Sequence, residues 1–188
     1  MTFLLNQLKK YIHVDTYIEQ FFREECEVIR YKKNELISRQ DQYNRKVFFV
    51  EEGMARSFYY ENGKDITTNF YTEGKLMANM DTLFQNKPTR YNFEAIEESV
   101  MMACDFSKLE ELCAVSIECA NFGRYILGNL MTQMASRMAS LQYMTAKEKY
   151  TQLLEENPDI ILRAPLGMIA SYLGISQETL SRIRNAVS

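Results

Sequence analysis

Met54-Ala-Arg-Ser-Phe-Tyr-Tyr60, then Glu61-Asn62-Gly63-Lys64, then Asp65-Ile-Thr-Thr-Asn-Phe-Tyr71 reads as a β-hairpin. Two runs rich in aromatic and β-branched residues flank an Asn-Gly pair, which supplies the positive φ angles of a tight turn between antiparallel strands. The pattern continues on both sides. Val47-Phe-Phe-Val50 stops at Glu52-Gly53, and Glu73-Gly74, Tyr91 to Ile96 and Ser99 to Cys104 carry the alternation onward. Residues from about 27 to 105 therefore read as six or more short strands of an antiparallel roll, behind an opening of about 25 residues that is helical in character.

Beyond the roll the period changes. Ser107-Lys-Leu-Glu110 fits a capping box, in which a hydroxyl and a carboxylate three residues apart satisfy the first backbone N–H groups of a helix. After a break near Val115 and Ser116, a longer helix is expected to about Tyr143. Leu127, Met131, Met134, Met138 and Leu141 recur at a and d spacing, with small neighbours Ala135, Ser136, Ala139 and Ser140. That seam suits a partner helix from a second copy; the alternative is packing on its own domain. Gly123 and Gly128 weaken the helix, and Arg124 interrupts the seam upstream.

Residues 165–185, Pro-Leu-Gly-Met-Ile-Ala-Ser-Tyr-Leu-Gly-Ile-Ser-Gln-Glu-Thr-Leu-Ser-Arg-Ile-Arg-Asn, read as two helices meeting at Gly174. Pro165 suits a helix N1 position, Ile169 and Leu173 share one face, and Gly174 can take the left-handed conformation that ends the helix. Ile175 is placed under the turn, Ser176 caps the second helix, and Leu180 and Ile183 point inward. Ala170 permits the close crossing of a helix-turn-helix. The remaining faces carry Gln177, Glu178, Ser181, Arg182 and Arg184. In a major groove, Arg can take a guanine edge, Gln an adenine edge, and Glu178 can accept from cytosine. Ser176, Thr179 and the backbone N–H groups at the helix start can hold a phosphate.

Bulk properties bound the rest. The 188 residues are enough for a sensing domain and a small helical appendage. Net charge is −3, which counts against nucleic acid, but its distribution is uneven: in residues 145–188 Lys147, Lys149, Arg163, Arg182 and Arg184 balance Glu148, Glu155, Glu156, Asp159 and Glu178. No apolar run approaches a membrane span and the early charges do not suit a signal peptide, so a cytoplasmic protein is expected. Cys26, Cys104, Cys113 and Cys119 lack CxxC spacing, and His13 is the only histidine. A zinc site, an iron–sulfur site and a disulfide framework are unsupported; the cysteines read as buried thiols and His13 as a surface or packing residue. A metal-holding cupin enzyme needs several histidines, and no nucleophile–base pair or glycine-rich phosphate loop appears. The expectation is no enzyme, no metal and no cofactor.

Ser-Gln-Glu-Thr-Leu-Ser-Arg-Ile-Arg (176–184), preceded by Ile-Ala-Ser-Tyr-Leu-Gly-Ile (169–175), resembles the recognition region of the Crp/Fnr superfamily of transcription regulators. Phe49-Val50-Glu51-Glu52-Gly53, Gly63-Lys64-Asp65, the Phe70 to Gly74 segment and the long helix follow in that family's order, so the resemblance covers nearly the whole chain. It implies an α+β fold: an N-terminal antiparallel β-roll of double-stranded β-helix or jelly-roll type, a long dimerisation helix and a C-terminal helix-turn-helix. The expected division is a cyclic-nucleotide-binding-like sensor over 1–111, the dimerisation helix over 112–144 and the DNA-binding domain over 145–188. It also implies that Gln177, Glu178 and Arg182 contact bases, and that the partners are double-stranded DNA, a second copy, RNA polymerase and a small-molecule effector, with no membrane.

Two departures qualify this. Leu76-Met-Ala-Asn-Met80 places Ala78 and Asn79 where cyclic-nucleotide members carry Gly and Glu, and Arg90-Tyr91-Asn92 keeps the arginine without the adjoining Ser or Thr. Ala78, Asn79, Met80, Arg90 and Tyr91 mark the effector pocket by resemblance, yet the ribose hydroxyl loses its carboxylate acceptor and Tyr91 adds bulk, so a cyclic nucleotide is not the expected ligand. Arg90 is either a phosphate partner or a surface arginine. The sequence also stops at Ser188, without the β-hairpin wing of many members, so affinity is expected to depend on paired recognition helices and a palindromic site. The competing reading is an effector-binding or protein-interaction module whose helical tail does not touch DNA.

Overall fold

A computed structural model describes residues 2–187. α1 (Thr2–Leu8) and α2 (Thr16–Glu25) make the helical opening. Asp15 caps α2 by accepting from the backbone N–H of Ile18 at 2.8 Å, and the helix buries Ile18 and Phe22. Eight strands follow: β1 (Cys26–Tyr31), β2 (Leu36–Ser38), β3 (Lys46–Glu52), β4 (Ala55–Glu61), β5 (Lys64–Tyr71), β6 (Leu76–Ala78), β7 (Asn92–Ala95) and β8 (Ser99–Asp105). A short α3 (Met80–Gln85) lies between β6 and β7.

The strands form two four-stranded sheets, ordered β1-β8-β3-β6 and β2-β7-β4-β5. Within the first, β8 pairs antiparallel with β1 from Cys26↔Cys104 to Tyr31↔Ser99, and with β3 from Lys46↔Asp105 onward. The two-residue period of a strand divides the side chains between two cores. Phe48, Val50, Met101 and Ala103 join Ile37, Ala55, Met77, Phe93 and Ala95 inside the roll. Phe49, Met102 and Cys104 belong to a second cluster with Leu4, Leu5, Leu8, Ile18, Phe22 and Leu112 of the surrounding helices.

The hairpin forms as its sequence requires: Asn62 has φ +49° and Gly63 φ +74° between β4 and β5. Gly53, at φ +91°, ends β3 where a Cβ would lie 2.4 Å from Ser99 Oγ and 2.6 Å from the Glu98 carbonyl oxygen. The turn therefore requires glycine on two counts. One ion pair is buried inside the roll: Arg56, only 4% exposed, meets Glu94 at 2.7 Å through Nη2 and at 2.8 Å through Nε.

The helices are α4 (Phe106–Val115), α5 (Ile117–Tyr143), α6 (Ala146–Glu156), α7 (Pro158–Arg163), α8 (Leu166–Leu173) and α9 (Gln177–Val187). Two details correct the sequence expectation. α4 begins at Phe106 with Asp105 at its N-cap and no side-chain cap bond, so Ser107 lies inside the helix and its capping box does not form. Pro165 stands at the N-cap of α8 rather than at N1. A capping box does form at Thr145 and Glu148, at the start of α6.

The chain makes two compact units. One contains the N-terminal residues to Arg56 together with Tyr71–Gly128; the other joins Ser57–Phe70 to the chain from Asn129 onward. The second is built on Tyr150, Leu153, Ile160, Ile161, Ile169, Ala170, Leu173 and Leu180, all buried.

Candidate functional site

The site in the second unit is assembled from α8, its turn and α9. α8 buries Ile169, Ala170 and Leu173. It ends in a Schellman arrangement: Gly174 takes φ +69°, the Ile175 N–H reaches the Ala170 carbonyl at 3.0 Å, and the Gly174 N–H reaches the Ser171 carbonyl at 3.0 Å. Ile175 is half-buried under the turn. Ser176 then caps α9, its Oγ accepting the Thr179 N–H at 3.1 Å.

Leu180 of α9 is fully buried and Ile183 half-buried, which fixes the inward face. Ser176, Gln177, Glu178, Ser181, Arg182 and Arg184 are exposed and Thr179 is half-buried. The structure thus brings all seven residues picked out in the sequence onto one short segment. They are not equally free: the Gln177 amide lies close over Gly167, 2.7 Å from where a Cβ would stand. Arg182 Nη2 donates to Thr179 Oγ1 at 3.4 Å. The Glu178 carboxyl is held below its usual range, first by a hydrogen bond with Ser176 and then by the backbone. A surface hollow beside α9 is lined by Lys147, Thr179, Arg182, Ile183 and Ala186. This is an outward polar face with Arg182 at its middle, chemistry suited to phosphates and base edges.

Behind the turn is a contact that no sequence pattern announced. Ser171 Oγ accepts the Thr67 backbone N–H at 2.9 Å and donates to the Asp65 carbonyl at 3.1 Å, so one hydroxyl joins α8 to the β4–β5 hairpin. The Phe70 and Tyr172 rings meet edge-on at 5.4 Å. Arg137 of α5 lies 3.9 Å over the Tyr172 ring and donates to the Tyr172 carbonyl at the end of α8. Burial lowers the Arg137 pKa, and stacking together with the carbonyl bond offsets part of that cost. Ser171 lies 104 residues from Thr67, a separation at which sequence gives no signal.

Along α5, Leu127 (43% exposed), Met131 (73%), Met134 (68%), Met138 (62%) and Leu141 (47%) form an apolar row open to solvent in the single chain. Leu141, at the end of the row, lies beside the Gly174 turn, 3.8 Å from where a Cβ would stand there.

In the first unit, the residues marked as an effector pocket are partly brought together. Asn79 is buried: its Nδ2 donates to Ser38 Oγ at 3.0 Å, and its Oδ1 accepts from Thr89 Oγ1 at 2.7 Å. Thr89 in turn accepts the Tyr91 N–H at 3.1 Å. Arg90 turns outward, 74% exposed, and pairs with Asp81 through Nε at 3.0 Å and Nη2 at 3.2 Å. Met80 is exposed, and Ala78 and Tyr91 are half-buried. Among the described residues no buried side-chain nitrogen or oxygen lacks a partner, no cluster of His, Cys, Asp and Glu could hold a metal ion, and no helix is long and apolar enough to cross a membrane.

Residues 28–116 match the family model of the cyclic nucleotide-binding domain. No curated protein matches the chain in sequence. Among solved structures, FixK2 from Bradyrhizobium japonicum superposes with a TM-score of 0.74 at 23% identity, covering 86% of this chain and 84% of that one. A CooA double mutant from Carboxydothermus hydrogenoformans gives 0.75 at 19% identity, covering 97% and 83%. The c-di-GMP-responsive global regulator CLP, which links cell–cell signalling to virulence gene expression in Xanthomonas campestris, gives 0.70 at 12% identity, covering 92% and 91%.

Proposed function

We propose, from the premise that this chain has the fold of the Crp/Fnr regulators around a cyclic nucleotide-binding-type domain, that it is a DNA-binding transcription regulator acting as a homodimer on a palindromic operator. The observation that carries this reading is α9 itself: Leu180 buried behind it and Gln177, Glu178, Ser181 and Arg182 exposed along it. In this reading α9 enters the major groove, Arg182 takes a base edge, and Ser176, Thr179 and Arg184 hold the flanking backbone. The α5 row from Leu127 to Leu141 is the dimer seam.

The division of labour is a sensor over 1–111, a dimerisation helix over 112–144 and a reader over 145–188, with hairpin residues 57–70 folding in the reader's unit. Ser171, Tyr172 and Arg137 are then the physical link by which the hairpin sets the orientation of α8. A ligand in the roll acts only by favouring one arrangement of that link over another. A cyclic nucleotide is a poor candidate for that ligand: both ends of the Asn79 amide are committed to Ser38 and Thr89, and Arg90 is paired with Asp81.

The test is recovery of bound fragments from sheared genomic DNA of the source organism at near-physiological salt, followed by sequencing. The expected result is a palindrome with half-sites about one helical turn apart. Arg182→Ala is expected to weaken binding by about 1–3 kcal/mol without changing thermal stability, since the side chain is exposed. The balanced charge of residues 145–188 favours one rival, a protein-contact module; that rival shows no enrichment, no steep salt dependence and no effect of Arg182→Ala.

A further inference from the structure

All four cysteines gather in the first unit: Cys26, Cys104 and Cys119 lie in one buried cluster, and Cys113 packs against it. Two of them are also strand partners. Cys26 opens β1 and Cys104 stands near the end of β8, and they face each other directly in the antiparallel register. Direct partners point to the same side of a sheet, with Cα atoms about 4.5–5.5 Å apart. That spacing lies inside the roughly 4.4–6.8 Å window a disulfide requires. Cys104 Sγ donates to the Glu25 carbonyl at 3.7 Å, at the residue just before Cys26. Both are free thiols.

We propose that Cys26 and Cys104 are an oxidation site, a dithiol that a peroxide-class oxidant converts into a cross-strand disulfide joining β1 to β8. One thiolate attacks the peroxide, the O–O bond breaks, and a sulfenic acid forms with release of water. The facing thiol then attacks that sulfur, forming the S–S bond and releasing a second water. Two thiols lose two protons and two electrons, and one peroxide is reduced to two waters.

Position in the fold supports this chemistry. β1 is the edge strand of its sheet, with β8 on one side only, so it opens at less cost than a central strand. The chain enters it straight from α2, with Cys26 as the helix C-cap. Contact with Cys104 and burial push the Cys26 thiol up, which keeps it protonated while the strand is closed. Oxidation therefore follows strand opening and is slow compared with an exposed thiol. It is nonetheless selective, because reclosing of the strand in its register returns Cys26 opposite Cys104, the capturing sulfur.

The test uses the full reduced chain treated with hydrogen peroxide. Remaining thiols are alkylated under denaturing conditions, and the chain is digested without reductant for mass spectrometry. The expected product is one linked pair of peptides, containing Cys26 and Cys104, about 2 Da lighter than the two reduced peptides together and separated again by dithiothreitol. Cys26→Ser and Cys104→Ser each abolish that pair, whereas Cys113→Ser retains it. The map of the unaltered chain is decisive even where a variant fails to fold. A Cys113–Cys119 link in place of this one, separate sulfinic or sulfonic acids at Cys26 and Cys104, or four intact thiols after exhaustive treatment would each overturn the proposal. None of these outcomes bears on DNA binding, which the proposal does not require.

Discussion

The Asn79 cluster in the roll and the exposed face of α9 use similar side chains, amides and hydroxyls beside an arginine, to opposite ends. In the roll, Ser38, Asn79 and Thr89 are all buried, and the Asn79 amide spends its hydrogen bonds on the other two. On α9, Gln177, Ser181 and Arg182 stand in solvent around a single buried leucine. A buried polar group must be satisfied internally because losing its partner costs the full desolvation penalty. An exposed one is satisfied by water and can exchange that water for a ligand. Residue type alone does not separate the two uses; burial does.

That contrast breaks most visibly at the Arg56–Glu94 pair, a buried ion pair of the roll. Glu94→Ala leaves a guanidinium that is 4% exposed without its carboxylate, and the expected loss of unfolding free energy is about 3–5 kcal/mol by urea denaturation. A loss below about 1 kcal/mol would mean that water reaches the pair and that the roll is no drier than a surface. Thr89→Val asks the same of the Asn79 cluster. Volume is nearly kept, but Asn79 Oδ1 and the Tyr91 N–H lose the hydroxyl that serves both, and the expected cost is about 1–3 kcal/mol. A stable Thr89→Val protein with altered response to a small ligand would move this cluster from scaffold to sensor.

How much of this was readable depends on the range of each interaction. The β4–β5 turn is local chemistry, two residues with positive φ, so Asn62-Gly63 was sufficient. The α8–turn–α9 unit is legible for the same reason: Gly174, Ile169, Leu173 and Leu180 act within a few turns of one another. Arg90 and Asn79 were flagged by position, but their fates rest on partners the sequence does not point to. Arg90 turns to Asp81, nine residues away, and Asn79 meets Ser38 across 41 residues. The capping expectation failed differently. Ser107-x-x-Glu110 and Thr145-x-x-Glu148 carry the same pattern, yet Asp105 takes the cap of the first helix and only the second box closes. Pattern alone could not rank them, because a strand running straight into α4 fixes its start.

The link between the β4–β5 hairpin and α8 tests the comparison from its middle, since Ser171 is a polar residue of α8 used for structure. Ser171→Ala removes the hydroxyl that joins the Thr67 N–H to the Asp65 carbonyl and is expected to cost about 1 kcal/mol in stability. In the proposed regulator it also changes DNA affinity although Ser171 touches no DNA, which a binding titration reads alongside the melting curve. Unchanged affinity at reduced stability would leave the clasp a packing contact only.

The smallest expected effect lies at the start of α6 in the second unit. Thr145 and Glu148 close the capping box of α6, the helix that buries Tyr150 and Leu153 in the second unit. Thr145→Ala is expected to cost about 1 kcal/mol while leaving the α9 face unaltered, so in the proposed regulator DNA affinity should hold. The Thr145 backbone N–H and then its hydroxyl lower the Glu148 pKa from its ordinary 4.5. A carboxylate whose folded-state pKa is depressed contributes its stability fully above the ordinary value and loses it as pH falls through the lowered one. The wild-type advantage over Thr145→Ala should therefore be constant at neutral pH and shrink on acidification below about pH 4.5. An advantage that persists through that acid range would show that the hydroxyl caps α6 without help from the carboxylate, and that the box works through one bond rather than two.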